Sequence, residues 1–266
     1  MKRIAFIVLC STLLLGCKKL TLDSTSTTHI IGHGGMGYTS QYPINSLESI
    51  LNALALGADG VEIDVQLTKD GQLVAFHNRK MEENTNKSGF INDHTWEELR
   101  NARYRDLPYA SYRIYRLVDI LNAIPNPNEK YLFIDCKMFT HNSSEAYYNA
   151  YNSALLSIIE QYHLKDKFVI ETGSLDMIYA LHHIKNDLEL YYYVNNPAEA
   201  LQIENNEIVT GIMFRQEDYS KEDIAQLKAK GLKTAAWSVI NKNDLKTAAE
   251  KGIDFAQVDN LRKLLK

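Results

Sequence analysis

The chain reads as an α/β protein, a TIM (β/α)₈ barrel with a small insertion after its second strand. Three observations point there. Eight short apolar or β-branched runs recur, at Ile30–Gly32, Gly60–Leu67, Tyr131–Lys137, Phe168–Thr172, Leu190–Val194, Gly211–Phe214, Thr234–Val239 and Phe255–Val258. Segments with helical spacing of apolar residues separate most of them, which is the pattern of parallel β-α units. The length of 266 residues, 45% hydrophobic and 23% charged, suits one barrel around one core and excludes a disordered chain. Periodicity does not register closure, so an open doubly wound sheet is the alternative.

The N-terminus stands outside that pattern. Lys2 and Arg3 precede an apolar run from Ile4 to Leu15 that ends Leu14-Leu15-Gly16-Cys17. This describes a secretory signal over residues 1–16, too short for a membrane span of about 20 residues. Its ending resembles a bacterial lipobox, in which the cysteine becomes the lipidated first residue. Cys17 is therefore expected to anchor the protein to a membrane, outside the cytoplasm, in the bacterial cell envelope. Loss of Lys2 and Arg3 takes the formal charge from −4 to −6. Cys10 leaves with the signal and Cys17 carries lipid, so Cys136 remains without a disulfide partner. Residues 17–28, rich in Ser and Thr, read as a flexible tether, and residues 29–266 as the barrel domain. A negative chain with scattered tyrosines carries neither the basic footprint nor the stacking stripe of a nucleic-acid partner.

Within the barrel, Leu47, Ile50, Leu51, Leu54 and Ala55 share one helical face that stops at Gly57. Ile178, Leu181, His182 and Leu188 suggest a second helix, and Ile224, Leu227 and Leu232 a third. A strand-like run, Gln72 to His77, leads into a polar insertion over about residues 78–116. Inside it, Asp93 to Leu99 looks like a short capped helix.

The chemistry gathers at the ends of the early strands, where barrel active sites sit. The first strand runs into His33. The second holds Glu62 and Asp64, two residues apart and so on the same side of the strand. Flanked by Val61, Ile63 and Val65, that strand is expected to be buried on both faces, where two unpaired carboxylates repel and are costly to desolvate. A divalent cation removes both penalties, and hard oxygen donors suit Mg²⁺ or Ca²⁺. Asp135 completes a three-carboxylate site, with Lys137 on the same side; a plain Asp135–Lys137 ion pair is the alternative. His77 ends the extra strand within reach of the same mouth. Together these groups suit metal-assisted attack on phosphorus, with one imidazole taking a proton and the other delivering one.

Several segments carry a family resemblance: Ile31-Gly-His33-Gly-Gly, Tyr42-Pro-Ile-Asn45-Ser46, the block from Gly57 to Gly71 containing Glu62-Ile-Asp64, and Val74-Ala-Phe-His77-Asn78. A looser match continues through Trp237-Ser-Val239 and Gly252 to Asp259. The chain resembles the glycerophosphodiester phosphodiesterase family. The resemblance implies a TIM barrel with a divalent metal, Ca²⁺ or Mg²⁺. It also implies cleavage of glycerophosphodiesters to glycerol phosphate and an alcohol, through attack by the neighbouring glycerol hydroxyl. It assigns His33 and His77 to acid/base work and Glu62 and Asp64 to the metal. Asp135 falls where the family usually has Glu, and Lys137 matches a phosphate contact in sphingomyelinase D-like relatives.

Four positions depart from the family pattern. Gly34 and Glu83 replace arginines, Ile44 replaces a Glu and Asn78 an Asp. Losing two arginines removes bidentate phosphate donors that Lys does not fully imitate. Arg215 at the end of the sixth strand is either a replacement cation or a plain loop arginine. Trp237 at the end of the seventh either walls the alcohol subsite or caps the core. The expected activity is hydrolysis of a glycerophosphodiester or a phospholipid-derived relative. The alternatives are a phospholipase or sphingomyelinase D-like enzyme on intact lipid, and a non-catalytic binding lipoprotein.

Overall fold

A computed structural model describes residues 27–141, 144–164, 166–203 and 208–265; the expected signal and Cys17 lie outside them. Ten strands form one sheet: β1 (His29–Gly32), β2 (Gly60–Leu67), β3 (Leu73–Ala75), β4 (Tyr115–Arg116), β5 (Tyr131–Cys136), β6 (Phe168–Thr172), β7 (Glu189–Tyr193), β8 (Gly211–Arg215), β9 (Lys233–Val239) and β10 (Phe255–Val258). The helices are α1 (Leu47–Leu56), α2 (Trp96–Leu99), α3 (Leu117–Ala123), α4 (Glu145–Gln161), α5 (Leu175–Ile184), α6 (Pro197–Ala200), α7 (Lys221–Ala229), α8 (Lys242–Lys251) and α9 (Leu261–Leu265). β1 pairs in parallel with both β10 and β2, which closes an eight-strand parallel barrel. An open doubly wound sheet is thereby excluded.

Strand alternation separates two cores. Ile31, Phe133, Val169, Tyr191, Met213, Ala235 and Phe255 pack together inside the barrel. The opposite register, with Ile63, Ile134, Ile170, Leu190, Phe214 and Val258, packs under the helices. Gly211 is needed for the first of these: a Cβ there meets the Tyr191 ring at 2.5 Å.

The helices start and stop where local chemistry directs. Ser46 Oγ accepts from Ser49 N at 3.1 Å to begin α1, and Gly57, at φ 103°, ends it in the left-handed region. The second predicted helix ends at Ile184, so Leu188 falls in the approach to β7. Thr28, assigned to the tether, instead donates from Oγ1 to Ile253 O at 2.7 Å and belongs to the domain.

The insertion follows β2 as expected. β3 pairs antiparallel with β2, and β4 with β3. It has its own small core of Val74, Phe76, Met81, Ile91, Leu99, Ala102, Tyr104 and Ile114. Thr95 N donates to Glu98 Oε2 at 2.8 Å at the head of α2, half of the anticipated cap.

Candidate active site

β2 is buried at all eight positions, and its outward Val61, Ile63 and Val65 leave Glu62, Asp64 and Gln66 on the inward side. The first two are 1% exposed. Asp135, in register with Asp64 on neighbouring β5, joins them. One carboxylate oxygen from each of Glu62, Asp64 and Asp135 lies within 4.8 Å of the other two. Oxygens around one Ca²⁺ stand at most about 5 Å apart, twice the usual ligand distance.

The donor chemistry fits a divalent cation. Glu62 Oε2 accepts from Gly34 N at 2.7 Å, but its Oε1 is buried with no partner among the described residues. Lys137 Nζ lies 2.6 Å from Asp135 and 3.2 Å from Asp64. Three carboxylates against one ammonium leave two negative charges in a buried pocket. Burial, with Asp64 and Asp135 alongside, pushes Glu62 well above the usual carboxylate range. Burial likewise carries Asp135 up past the opposing pull of Lys137. Asp64 goes the other way: burial acts to raise it, and Lys137, both imidazoles and the Asn45 amide outweigh that and hold it low.

Asn45 is a two-point clamp on Asp64. Its Nδ2 donates to Asp64 Oδ2 at 2.6 Å, and its Oδ1 accepts from Asp64 N at 2.9 Å. It holds this pose at φ 64°, a region Asn tolerates better than most residues.

The imidazoles are held as firmly. His33 Nδ1 stands 2.7 Å from Asp259 Oδ1, and its Nε2 lies 3.9 Å from Glu62 Oε2. A carboxylate only accepts, so Nδ1 carries a proton toward Asp259, and Nε2 faces Glu62. His77 is positioned through its neighbours: Gln66 Nε2 donates to both Phe76 O and Asn78 O at 2.8 Å. The Tyr38 ring bridges the two, with centroids 5.0 Å from His33 and 5.9 Å from His77.

Both histidines, Asp135, Lys137 and Trp237 line one cavity of about 420 Å³, with Glu171, Tyr193 and Met213 on its other walls. Glu171 is bound by Gln257, whose Nε2 reaches both its oxygens at 3.0 Å, and burial pushes this carboxyl well up. Arg215 is not among the lining residues. Its guanidinium lies 5.8 Å over the Trp237 ring and pairs with Glu217 at 2.6 Å.

Sequence reasoning gave no role to Asp259, Asn45, Gln66 or Tyr38. Strand position was the available signal for two of them: Gln66 continues the inward alternation of Glu62 and Asp64, and Asp259 directly follows β10. Asn45 falls in the Tyr42–Ser46 segment that carries the family resemblance, but nothing local marks Tyr38, whose work depends on a loop conformation.

Several known proteins share this architecture. A glycerophosphodiester phosphodiesterase of Caldanaerobacter subterraneus subsp. tengcongensis is 26% identical over 255 residues, 90% of this chain and 96% of its own length. The structure of an Oleispira antarctica phosphodiesterase in complex with the product sn-glycerol-3-phosphate superposes with a TM-score of 0.77 at 21% identity, covering 89% of this chain and 94% of that one. A glycerophosphodiester phosphodiesterase structure from Agrobacterium tumefaciens gives 0.74 at 16% identity, covering 90% and 99%. At these identities the solved structures speak for the fold alone. A family model matches residues 36–263, nearly the whole described domain, and the chain belongs to the glycerophosphoryl diester phosphodiesterase family.

Proposed function

We propose that this enzyme hydrolyses glycerophosphodiesters to glycerol phosphate and an alcohol. It would use Glu62, Asp64 and Asp135 to hold a divalent cation, and His33 and His77 as proton carriers. The observation that carries this is the gathering of three carboxylates and two imidazoles at one barrel mouth. The named relatives act in the same direction. When bound, Ca²⁺ or Mg²⁺ neutralises phosphate oxygens and lowers the cost of charge at phosphorus.

The residues of the chain divide the rest. Lys137 supplies fixed positive charge to the phosphate beside Asp64 and Asp135. His33 Nε2 takes the proton from the attacking glycerol hydroxyl, and Asp259 at Nδ1 stabilises the imidazolium that results. An O–P bond forms as the P–O bond to the alcohol breaks, and His77 delivers a proton to that leaving oxygen. Water then opens the cyclic glycerol phosphate with the two proton roles reversed. Tyr193 and Trp237 line the same cavity as the imidazoles. Arg215 reaches this site through Trp237, whose face it covers, and is proposed to steady that wall.

The expected membrane anchor at Cys17, and with it a place in the cell envelope, belongs to the same proposal and rests on the N-terminal sequence. No described helix is long and apolar enough to cross a membrane. Replacing Cys17 with Ser should move the protein from the membrane to the soluble fraction; unchanged fractionation would count against the anchor.

The test of function is a panel of glycerophosphodiesters and lysophospholipids with purified protein lacking residues 1–26, run with Ca²⁺, Mg²⁺ and EDTA in parallel. Glycerol phosphate should appear with one or both ions and vanish in EDTA. Release of choline from lysophospholipid alone would favour the D-type lipase, and ion binding without any hydrolysis would favour a binding protein.

A further inference from the structure

We propose that the Tyr38 hydroxyl is a further phosphate contact of this site, donating a hydrogen bond to a non-bridging oxygen as charge builds there during attack. The inference rests on the phosphodiesterase reading above and adds a residue that neither the strand pattern nor the family resemblance assigns.

His33 and His77 serve the attacking and the leaving oxygen of one phosphorus, which lie roughly in line on opposite sides of it. The phosphoryl group therefore occupies the gap between the two imidazoles. Tyr38 stands at that gap, its ring at 74° to His33 and 89° to His77. Among the described residues it alone makes ring contact with both. Hydrogen bonds on either side of it in the chain hold the loop in place. Met36 N donates to Ser49 Oγ at 2.8 Å, and Thr39 donates from N and Oγ1 to Asp259 O at 3.4 and 3.2 Å. Asp259, which orients His33, thus also seats the loop that carries Tyr38.

The phosphate is short of donors. Lys137 is the one lysine lining the cavity, and no arginine lines it. Two of its three ammonium hydrogens are taken by Asp135 and Asp64, which leaves one for a diester with two non-bridging oxygens. The Tyr38 hydroxyl is uncommitted, with no hydrogen bond to any described residue. The charges that bear on it most are those of Asp64 and Glu62, followed by Lys137, the groups around which the phosphate sits. Burial, then those two carboxylates, push the phenol well up from its ordinary range, so it keeps its hydrogen as a neutral donor. A donor aimed at an oxygen whose charge grows during attack stabilises the transition state more than the bound substrate.

The test compares the wild type with Tyr38→Phe, which keeps both ring contacts and removes the hydroxyl alone, in whichever of Ca²⁺ or Mg²⁺ supports turnover. The substrates are glycerophosphocholine, whose leaving oxygen needs a proton, and glycerol p-nitrophenyl phosphate, whose leaving oxygen does not. On both, kcat and kcat/KM should fall together by about 10–100-fold, the loss expected of one hydrogen bond to a charged oxygen made in the transition state. Calorimetric affinity for the same ion should be unchanged. Undiminished kcat overturns the contact and leaves Tyr38 a packing residue. A loss on the choline diester that vanishes on the nitrophenyl diester moves the hydroxyl to the leaving oxygen, beside His77, and overturns the assignment as well. Ion affinity that weakens in step with kcat places the effect at the cation and does the same. A wild type inert on both diesters overturns the phosphodiesterase reading instead.

Discussion

At the residue scale the site works through second partners as much as through the groups that meet substrate. His33 owes its tautomer to Asp259 at 2.7 Å. Asp259→Asn replaces a carboxylate with an amide whose NH₂ is free to turn toward Nδ1 and invert the tautomer. Turnover should fall by about 10²–10⁴-fold with KM little changed. Steady-state kinetics check this, and a loss confined to KM would contradict the orienting role. Asn45 does for Asp64 what Asp259 does for His33. Asn45→Ala removes both of its contacts with Asp64, and divalent-ion affinity should weaken by about 10–100-fold, the cost typical of groups that orient ligands. Titration calorimetry reads it directly.

At the element scale β2 carries most of the design, because strand period puts Glu62, Asp64 and Gln66 on one side. The carboxylates were legible in the sequence, since an acidic pair inside an apolar strand has few structural explanations. Gln66 was not, because its task is to bridge Phe76 O and Asn78 O across a turn that only the folded insertion creates. Gln66→Leu should therefore lower turnover more than it lowers melting temperature, by freeing His77; equal damage to both would make Gln66 a structural residue only. The strand boundaries themselves were legible to within a residue or so, as β-branched runs bounded by turns. Gly211 shows what alternation alone does not reveal. Its lack of a Cβ leaves room for the Tyr191 ring, which would stand 2.5 Å from an added Cβ, and Gly211→Ala should cost about 1–3 kcal/mol in urea unfolding through overpacking.

At the scale of the whole molecule, closure of β1 on β2 and β10 brings residues as distant as His33, Asp135 and Asp259 to one rim. Strand periodicity alone did not reveal that closure, since an open sheet has the same pattern; chain length and the family resemblance pointed to it. The gathered charge also makes stability depend on pH. Glu62, Asp135 and Glu171 are raised in the fold, so the native chain binds more protons than the unfolded chain above about pH 4–5. Their contribution is fully present below that range and is lost as pH rises through the raised values. Asp64, held low, opposes them only below its unfolded value near pH 4. In EDTA the melting temperature should therefore climb as pH is lowered from about 8 to about 5.5, while the added stability from Ca²⁺ or Mg²⁺ should shrink, because ion binding displaces those protons. The opposite slopes would contradict the electrostatics described.

The most direct measurement is equilibrium binding of Ca²⁺ and Mg²⁺ to the purified domain and to Glu62→Gln, Asp64→Asn and Asp135→Asn. One ion per chain in the parent, with affinity lost in all three variants, is the result expected of a shared carboxylate cradle. Undiminished binding in any two of them would place the ion elsewhere and remove the basis of the mechanism.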